Sequence, residues 1–416
     1  MICSGCWHDD RATSPNGGRR DILVDRAGEK KLPEKRLKKV RQNEMKENKE
    51  QIKSLYGIRA LACLCVVCYH YWCVFVSDAG LGREMEPWYP ASKYFFEYSK
   101  NAVEMFFLIS GFLIAYHYRD RILTMSFPSY FKRHFGKLIG ASIVVNLWAW
   151  GNAGLMTVGG FESAQRPVTA LRMILSVLMM NTGWFTSVRE TGLPVCSTMW
   201  YIDILFLCYL LYFAIGKIGR NRIVYLCICT GMVLVGKICL DATPNLPFLW
   251  ALNGRGYAPF FLGVLLYEFQ ERASEKVRRI VTWLWSGFVA VFFVFHMIVG
   301  FERVFGVFGT MNYVRYFEFV AAPGILLAAL NLPLVRNGFS WEPLCMLGSL
   351  SAEIYYVHNN VFQDYWMLNR ATGERINLLA PPVFLLIVVS VIPWGVLYKY
   401  LRTRFYGMLP GPEKSR

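Results

Sequence analysis

The sequence predicts an all-α integral membrane protein with about ten transmembrane helices, both termini cytoplasmic, and one short interfacial or re-entrant helix. Three observations carry that expectation. The 416 residues are 55% hydrophobic and 16% aromatic but only 18% charged, with a mean hydropathy of +0.31. Soluble domains are richer in charge. Apolar runs long enough to cross about 30 Å of hydrocarbon recur from residue 54 to residue 400. Lysine and arginine collect in alternate connections, as expected of a polytopic chain.

The expected spans are 54–75, 101–118, 138–157, 198–216, 223–240, 257–269, 280–299, 314–330, 345–362 and 378–400. A shorter apolar piece, 168–180, reads as the interfacial or re-entrant helix. Basic residues precede the first span and return at Arg119, Arg121, Lys132, Arg133 and Lys137, then at Lys217, Arg220 and Arg222, then at Arg272, Lys276, Arg278 and Arg279. With ten spans all of these fall on the cytoplasmic side, and Arg402 and Arg404 agree. Residues 1–53 therefore read as a basic, disordered or loosely helical cytoplasmic tail, 54–400 as the membrane domain and 401–416 as a second short tail.

The first span carries Arg59 and His70, eleven positions apart. A charged residue at the centre of a membrane helix costs roughly 2.5–3.5 kcal/mol on insertion scales, so it is usually retained for function. Eleven residues return to within about 20° of the same face and separate the two by about 16 Å along the helix. One face thus offers a guanidinium suited to phosphate near the cytoplasm and an imidazole suited to general base work near the outer surface. That arrangement fits a long, phosphate-bearing donor whose reactive end crosses the bilayer.

Topology brings three more ionisable residues to the depth of His70: Glu104 on the second span, Asp203 on the fourth and His358 on the ninth. At the inner face, Arg133, His134 and Lys137 are expected neighbours of Arg59. Each residue alone also reads as an interfacial anchor or a helix-packing hydrogen bond. The outer connections hold Trp88, Tyr89, Tyr94, Phe95, Phe96 and Tyr98, and later Trp184 and Phe185. These rings suit sugar stacking or an aromatic belt at the membrane interface. Most of the twelve cysteines fall in apolar runs as small hydrophobes, and no metal site is expected.

Two blocks carry a resemblance: Leu55-Tyr56-Gly57-Ile58-Arg59-Ala60-Leu61-Ala62 with Tyr69-His70, and Val103-Glu104-Met105-Phe106-Phe107-Leu108-Ile109-Ser110-Gly111-Phe112-Leu113-Ile114. Weaker ones lie at 131–140, at Met199-Trp200-Tyr201-Ile202-Asp203 and at Leu350-Ser351-Ala352-Glu353-Ile354-Tyr355-Tyr356-Val357-His358. Over most of 54–400 the chain resembles the acyltransferase-3 family of integral membrane O-acyltransferases. It departs from the family's usual pattern with Ala102 for glycine, Glu104 for aspartate, Asp203 for glutamate, His134 and Lys137 for arginines and Gly140 for proline.

The resemblance implies transfer of an acyl group, acetyl foremost, from cytosolic acyl-coenzyme A to a hydroxyl of an extracytoplasmic polysaccharide or glycolipid in a bacterial plasma membrane. It implies no permanently bound cofactor, a stand-alone membrane form and no nucleic-acid partner. His70 is then the catalytic base, with Glu104 or Asp203 orienting it, and Arg59 holds the donor with Arg133 and Lys137. Ser110, Ser351 and Tyr355 are candidate oxyanion donors, and Ser351, Tyr355 and His358 share one helix face. The rival expectation is a secondary transporter or lipid-linked sugar flippase, which would use similar buried charges but for which no internal repeat is visible. A non-catalytic membrane sensor is a third.

Overall fold

A computed structural model of the protein describes residues 34–77, 99–160, 168–184, 194–244, 246–299, 301–373, 376–378 and 380–408. The aromatic residues from Trp88 to Tyr98, Phe185 and the first 33 residues lie outside them.

The described chain is helical, without a strand; a lone antiparallel bridge joins Leu246 to Leu249. Helix α1 runs Glu34–Tyr71, so helix begins well before the expected boundary at Ser54, and continues as a π-helical turn, Trp72–Ser77. Then come α2 (Ala102–Tyr118), α3 (Phe127–Val158), the short α4 (Ala170–Val177), α5 (Trp200–Ile218), α6 (Arg222–Ala242) and α7 (Ala251–Arg272). The second half comprises α8 (Glu275–Val299), α9 (Phe301–Tyr316), a π-helical turn (Phe317–Ala321), α10 (Ala322–Asn331), α11 (Pro333–Phe339), α12 (Glu342–Ser349), α13 (Ser351–Ala371) and α14 (Pro381–Met408).

Among the described residues, seven stretches are long and apolar enough to cross a membrane: 51–75, 127–158, 197–218, 222–242, 275–296, 312–331 and 381–404. The protein is an integral membrane protein. Three of the ten expected spans, on α2, α7 and α13, are absent from that set. Helix α2 has only 17 residues, α7 carries Arg255, Glu268 and Arg272, and α13 carries Glu353, His358 and Asp364. Polar content and length set them apart, and these same helices supply much of the candidate site. The expected short helix at 168–180 is realised as α4, whose Thr169 side chain caps it by accepting from the Arg172 backbone N–H at 3.2 Å.

Burial sorts the helices into layers. In 197–218 the most apolar window is 78% buried inside the protein, whereas in 275–296 it is 6% buried, with Trp283, Leu284, Phe288 and Val291 facing outward. Helix α5 is therefore central and α8 peripheral. Around α5, α2 lies along α7, α6 packs on the other side of α7, and α1 is held by α11, α12 and α13.

In lipid, helices associate through close van der Waals contact, which favours small residues at crossings. A Cβ on Gly111 of α2 would lie 1.8 Å from the Phe260 carbonyl oxygen of α7, and one on Gly263 would lie 2.0 Å from the Leu108 carbonyl oxygen. The two backbones meet there. Likewise, a Cβ on Gly57 would lie 1.9 Å from Phe339 O, and one on Gly348 would lie 1.8 Å from Tyr56 O. The glycines of both signature blocks thus bring the helices bearing Arg59, His70 and Glu104 against their neighbours.

An ionic knot closes one end of the bundle. The buried Glu268 carboxylate meets Arg119 at 2.8 Å, Arg272 at 3.1 Å and Arg222 at 3.5 Å, and Arg119 stacks 4.1 Å over the Tyr225 ring. This ties α2, α6 and α7 together.

Gly263→Val is expected to destabilise the protein by about 3 kcal/mol through overpacking against backbone and to broaden its size-exclusion profile in detergent. Gly287→Val, on the outward face of α8 where a Cβ meets nothing within 4 Å, should leave the profile and thermal midpoint unchanged.

Candidate active site at the C-terminal end of the first span

Two imidazoles meet at the end of α1. His358 Nε2 lies 3.1 Å from His70 Nδ1, and the rings are 4.9 Å apart at their centroids. His358 is fully buried and His70 half-buried. Carbonyl oxygens assign the protons. His358 Nδ1 faces Tyr355 O at 2.8 Å and Ile354 O at 3.3 Å, both acceptors, so it carries hydrogen and leaves the lone pair on Nε2. His70 Nδ1 faces that lone pair and Val66 O at 2.9 Å, so it carries hydrogen too. In the neutral pair the His70 lone pair is therefore on Nε2, and no described residue hydrogen-bonds that atom. This is the arrangement of a general base: one nitrogen available to substrate, the other anchored.

The carboxylate expected to orient His70 is not its partner; His358 is. Glu104, fully buried on α2, instead accepts from Arg255 Nε at 2.5 Å. Arg255, on α7, also donates from Nη2 to Lys100 O at 3.0 Å and lies over the Trp200 ring at 5.1 Å. Lys100 belongs to the short turn Ser99–Asn101, which packs against α1. Pro259, one turn on, removes the N–H that would otherwise bond the Arg255 carbonyl. Asp203 serves elsewhere: its Oδ2 accepts from the Thr182 backbone N–H at 2.9 Å, and its own carbonyl accepts from Trp184 Nε1 at 3.4 Å. It anchors the segment after α4.

The expected oxyanion donors are spread out. The Tyr355 hydroxyl donates to Thr198 O at 2.9 Å. Ser110 sits beside Tyr201 and Tyr209. The Ser351 hydroxyl is buried without a hydrogen-bond partner, at the level where the Cys63 thiol donates to Ser351 O at 3.4 Å. The segment bearing Thr198 is itself fixed: Val195 N donates to Ser176 Oγ at 3.1 Å, Cys196 N to Asn146 Oδ1 at 2.9 Å and Arg172 Nη2 to Pro194 O at 3.3 Å.

Nearer the start of the span, Arg59 is buried, 5.7 Å over the Tyr56 ring, in a shallow cleft lined also by Ile52, Leu55 and Leu113. The His134 ring lies among Tyr118, Tyr130 and Tyr209, with centroids 5.3, 4.3 and 4.7 Å away. Arg133 lies 5.7 Å over the Tyr118 ring, so this aromatic layer meets the basic residues of α3. Groups of three or more metal-ligating side chains are absent among the described residues.

Sequence reasoning missed Arg255 and Glu318. The sixth span was expected to begin at Tyr257, which put Arg255 in a loop, whereas α7 begins at Ala251. Glu318 stood inside the apolar run 314–330, and its charge there was the available signal.

The family described as an acyltransferase domain matches residues 52–400, nearly the whole described body. The chain belongs to the acyltransferase-3 family. Acyl transfer is the general activity that this membership supports, and the match spans both signature blocks and the whole candidate site. Neither the curated proteins nor the solved structures contain a match to the chain.

Breaking the Glu104–Arg255 pair from one side should cost about 3–5 kcal/mol, because a buried charge loses its partner. Arg255→Met is expected to lower the thermal midpoint sharply in a detergent unfolding assay. The double variant Glu104→Leu with Arg255→Met should recover most of the loss.

Proposed function

We propose that the protein transfers an acyl group, acetyl foremost, from cytosolic acyl-coenzyme A across the bilayer to a hydroxyl of an extracytoplasmic polysaccharide or glycolipid. The observation that carries this reading is the His70–His358 pair, with an unengaged Nε2, in a chain of an acyltransferase family.

In this mechanism Arg59 holds the coenzyme's phosphates near the cytoplasmic face, with Arg133 and Lys137 assisting, and the pantetheine arm extends along the α1 face towards His70. The acceptor hydroxyl oxygen attacks the thioester carbonyl carbon while His70 Nε2 takes its proton. The Nδ1–H turned towards His358 and Val66 O holds the imidazolium as it forms. Positive charge on Arg255 favours the developing oxyanion. As the tetrahedral centre collapses, the C–S bond breaks and the coenzyme thiolate takes the proton from His70. Ester and free thiol are the products, and no covalent acyl-histidine is required.

The topology that suits this chemistry has ten spans. The seven apolar stretches are joined by α2, α7 and α13, whose polar residues face partners inside the bundle. An even number puts both termini on one side, which the basic loops make cytoplasmic, in a bacterial plasma membrane.

With radiolabelled acetyl-coenzyme A and crude cell-envelope glycan, His70→Ala is expected to reduce label transfer about 10²–10⁴-fold, the usual contribution of a general base. Arg59→Ala should chiefly raise KM for the coenzyme. Transfer that persists in His70→Ala would overturn the assignment of the base.

A further inference from the structure

The structure holds a second carboxylate that the mechanism above does not use. Glu318 is fully buried, and neither of its carboxyl oxygens has a hydrogen-bond partner or ion pair among the described residues. It sits on the π-helical turn Phe317–Ala321, a backbone form that is rare and often found at functional sites. The other π-helical segment described here, Trp72–Ser77, follows directly after His70 and Tyr71.

The turn that carries Glu318 packs against α2, which bears Glu104, and against α7, which bears Arg255. Arg255 is turned to Glu104 and not to Glu318: its Nε donates to Glu104 Oε1 and its Nη2 to Lys100 O, while both Glu318 carboxyl oxygens are without a hydrogen-bond partner. Glu104 Oε2 is also buried without a partner. Three carboxyl oxygens, two on Glu318 and one on Glu104, thus lie without hydrogen-bond partners where α2, α7 and the π-helical turn meet. Leaving buried polar atoms unmatched is costly, so a set of them in one place suits a ligand that brings the missing donors. A thioester carbonyl brings none. An acceptor with a hydroxyl beside the reacting one brings them, with one hydroxyl directed to His70 Nε2 and its neighbour to the carboxylates.

We infer that Glu318, with Oε2 of Glu104, binds a second hydroxyl of the acceptor adjacent to the one that is acylated, so that the site selects a vicinal polyol such as a sugar ring over a simple alcohol. This rests on the acyl-transfer reading and names the acceptor chemistry for the same site.

The test uses the full-length protein in nanodiscs with acetyl-coenzyme A and two probes that differ by one hydroxyl, 1,2-octanediol and 1-octanol. Wild type is expected to acylate the diol at least tenfold more efficiently in kcat/KM. Glu318→Leu should bring that ratio close to one, mainly through KM for the diol, and Glu318→Gln, which keeps one acceptor oxygen, should fall between. A ratio unchanged in Glu318→Leu, or an equal fall for both alcohols, would overturn the assignment. Should Glu318→Leu fail to fold by size exclusion, the Glu318→Gln ratio decides on the same terms. Acylation of neither alcohol by wild type, with no thiol released in the presence of envelope glycan, would instead remove the acyl-transfer reading and this inference with it.

Discussion

The ion pair between Glu104 and Arg255 is the constraint on which the rest of the candidate site depends. Neither charge is tolerable alone inside an apolar bundle, and the pair joins α2 to α7 at one depth. The pair needs the helices close, and Gly111 and Gly263 bring their backbones into contact. The same contact holds the Arg255 guanidinium between Glu104 Oε1 and Lys100 O and leaves Glu104 Oε2 without a donor. Packing and chemistry are therefore one arrangement: the residues that let the helices approach also place the charges.

In the proposed mechanism a second imidazole takes the place that a carboxylate has in a hydrolytic triad. His358 fixes the tautomer of His70 and accepts its Nδ1–H, while the carbonyls of Ile354 and Tyr355 fix His358 in turn. A neutral partner adds no further negative charge to a buried region that already holds Glu104 and Glu318. It also explains how the carboxylates remain available for other contacts.

Much of this was legible in the sequence, for physical reasons that differ by residue. Helix direction and depth put His358 in one layer with His70, since only a few residue types in an apolar span are ionisable, but the orienting role was read onto Glu104 or Asp203, because depth does not say which side chain turns to the imidazole. The glycines of both signature blocks were visible, but the backbone that each one meets was not. Topology placed Asp203 at the right depth without saying which way it faces, and it turns to the Thr182 segment. Arg255 escaped because a polar helix reads as a loop when apolarity alone defines a span. The early start of α1 at Glu34 escaped for the same reason, because its charged first half has no apolar periodicity.

Sidedness tests the central claim most directly. Proteoliposomes with uniformly oriented protein would be loaded on the cytoplasmic side with labelled acetyl-coenzyme A, with impermeant envelope glycan supplied only on the opposite side. The account predicts labelled glycan outside and free coenzyme thiol inside, in equal amounts. Label transferred only when coenzyme and glycan share one compartment would contradict it.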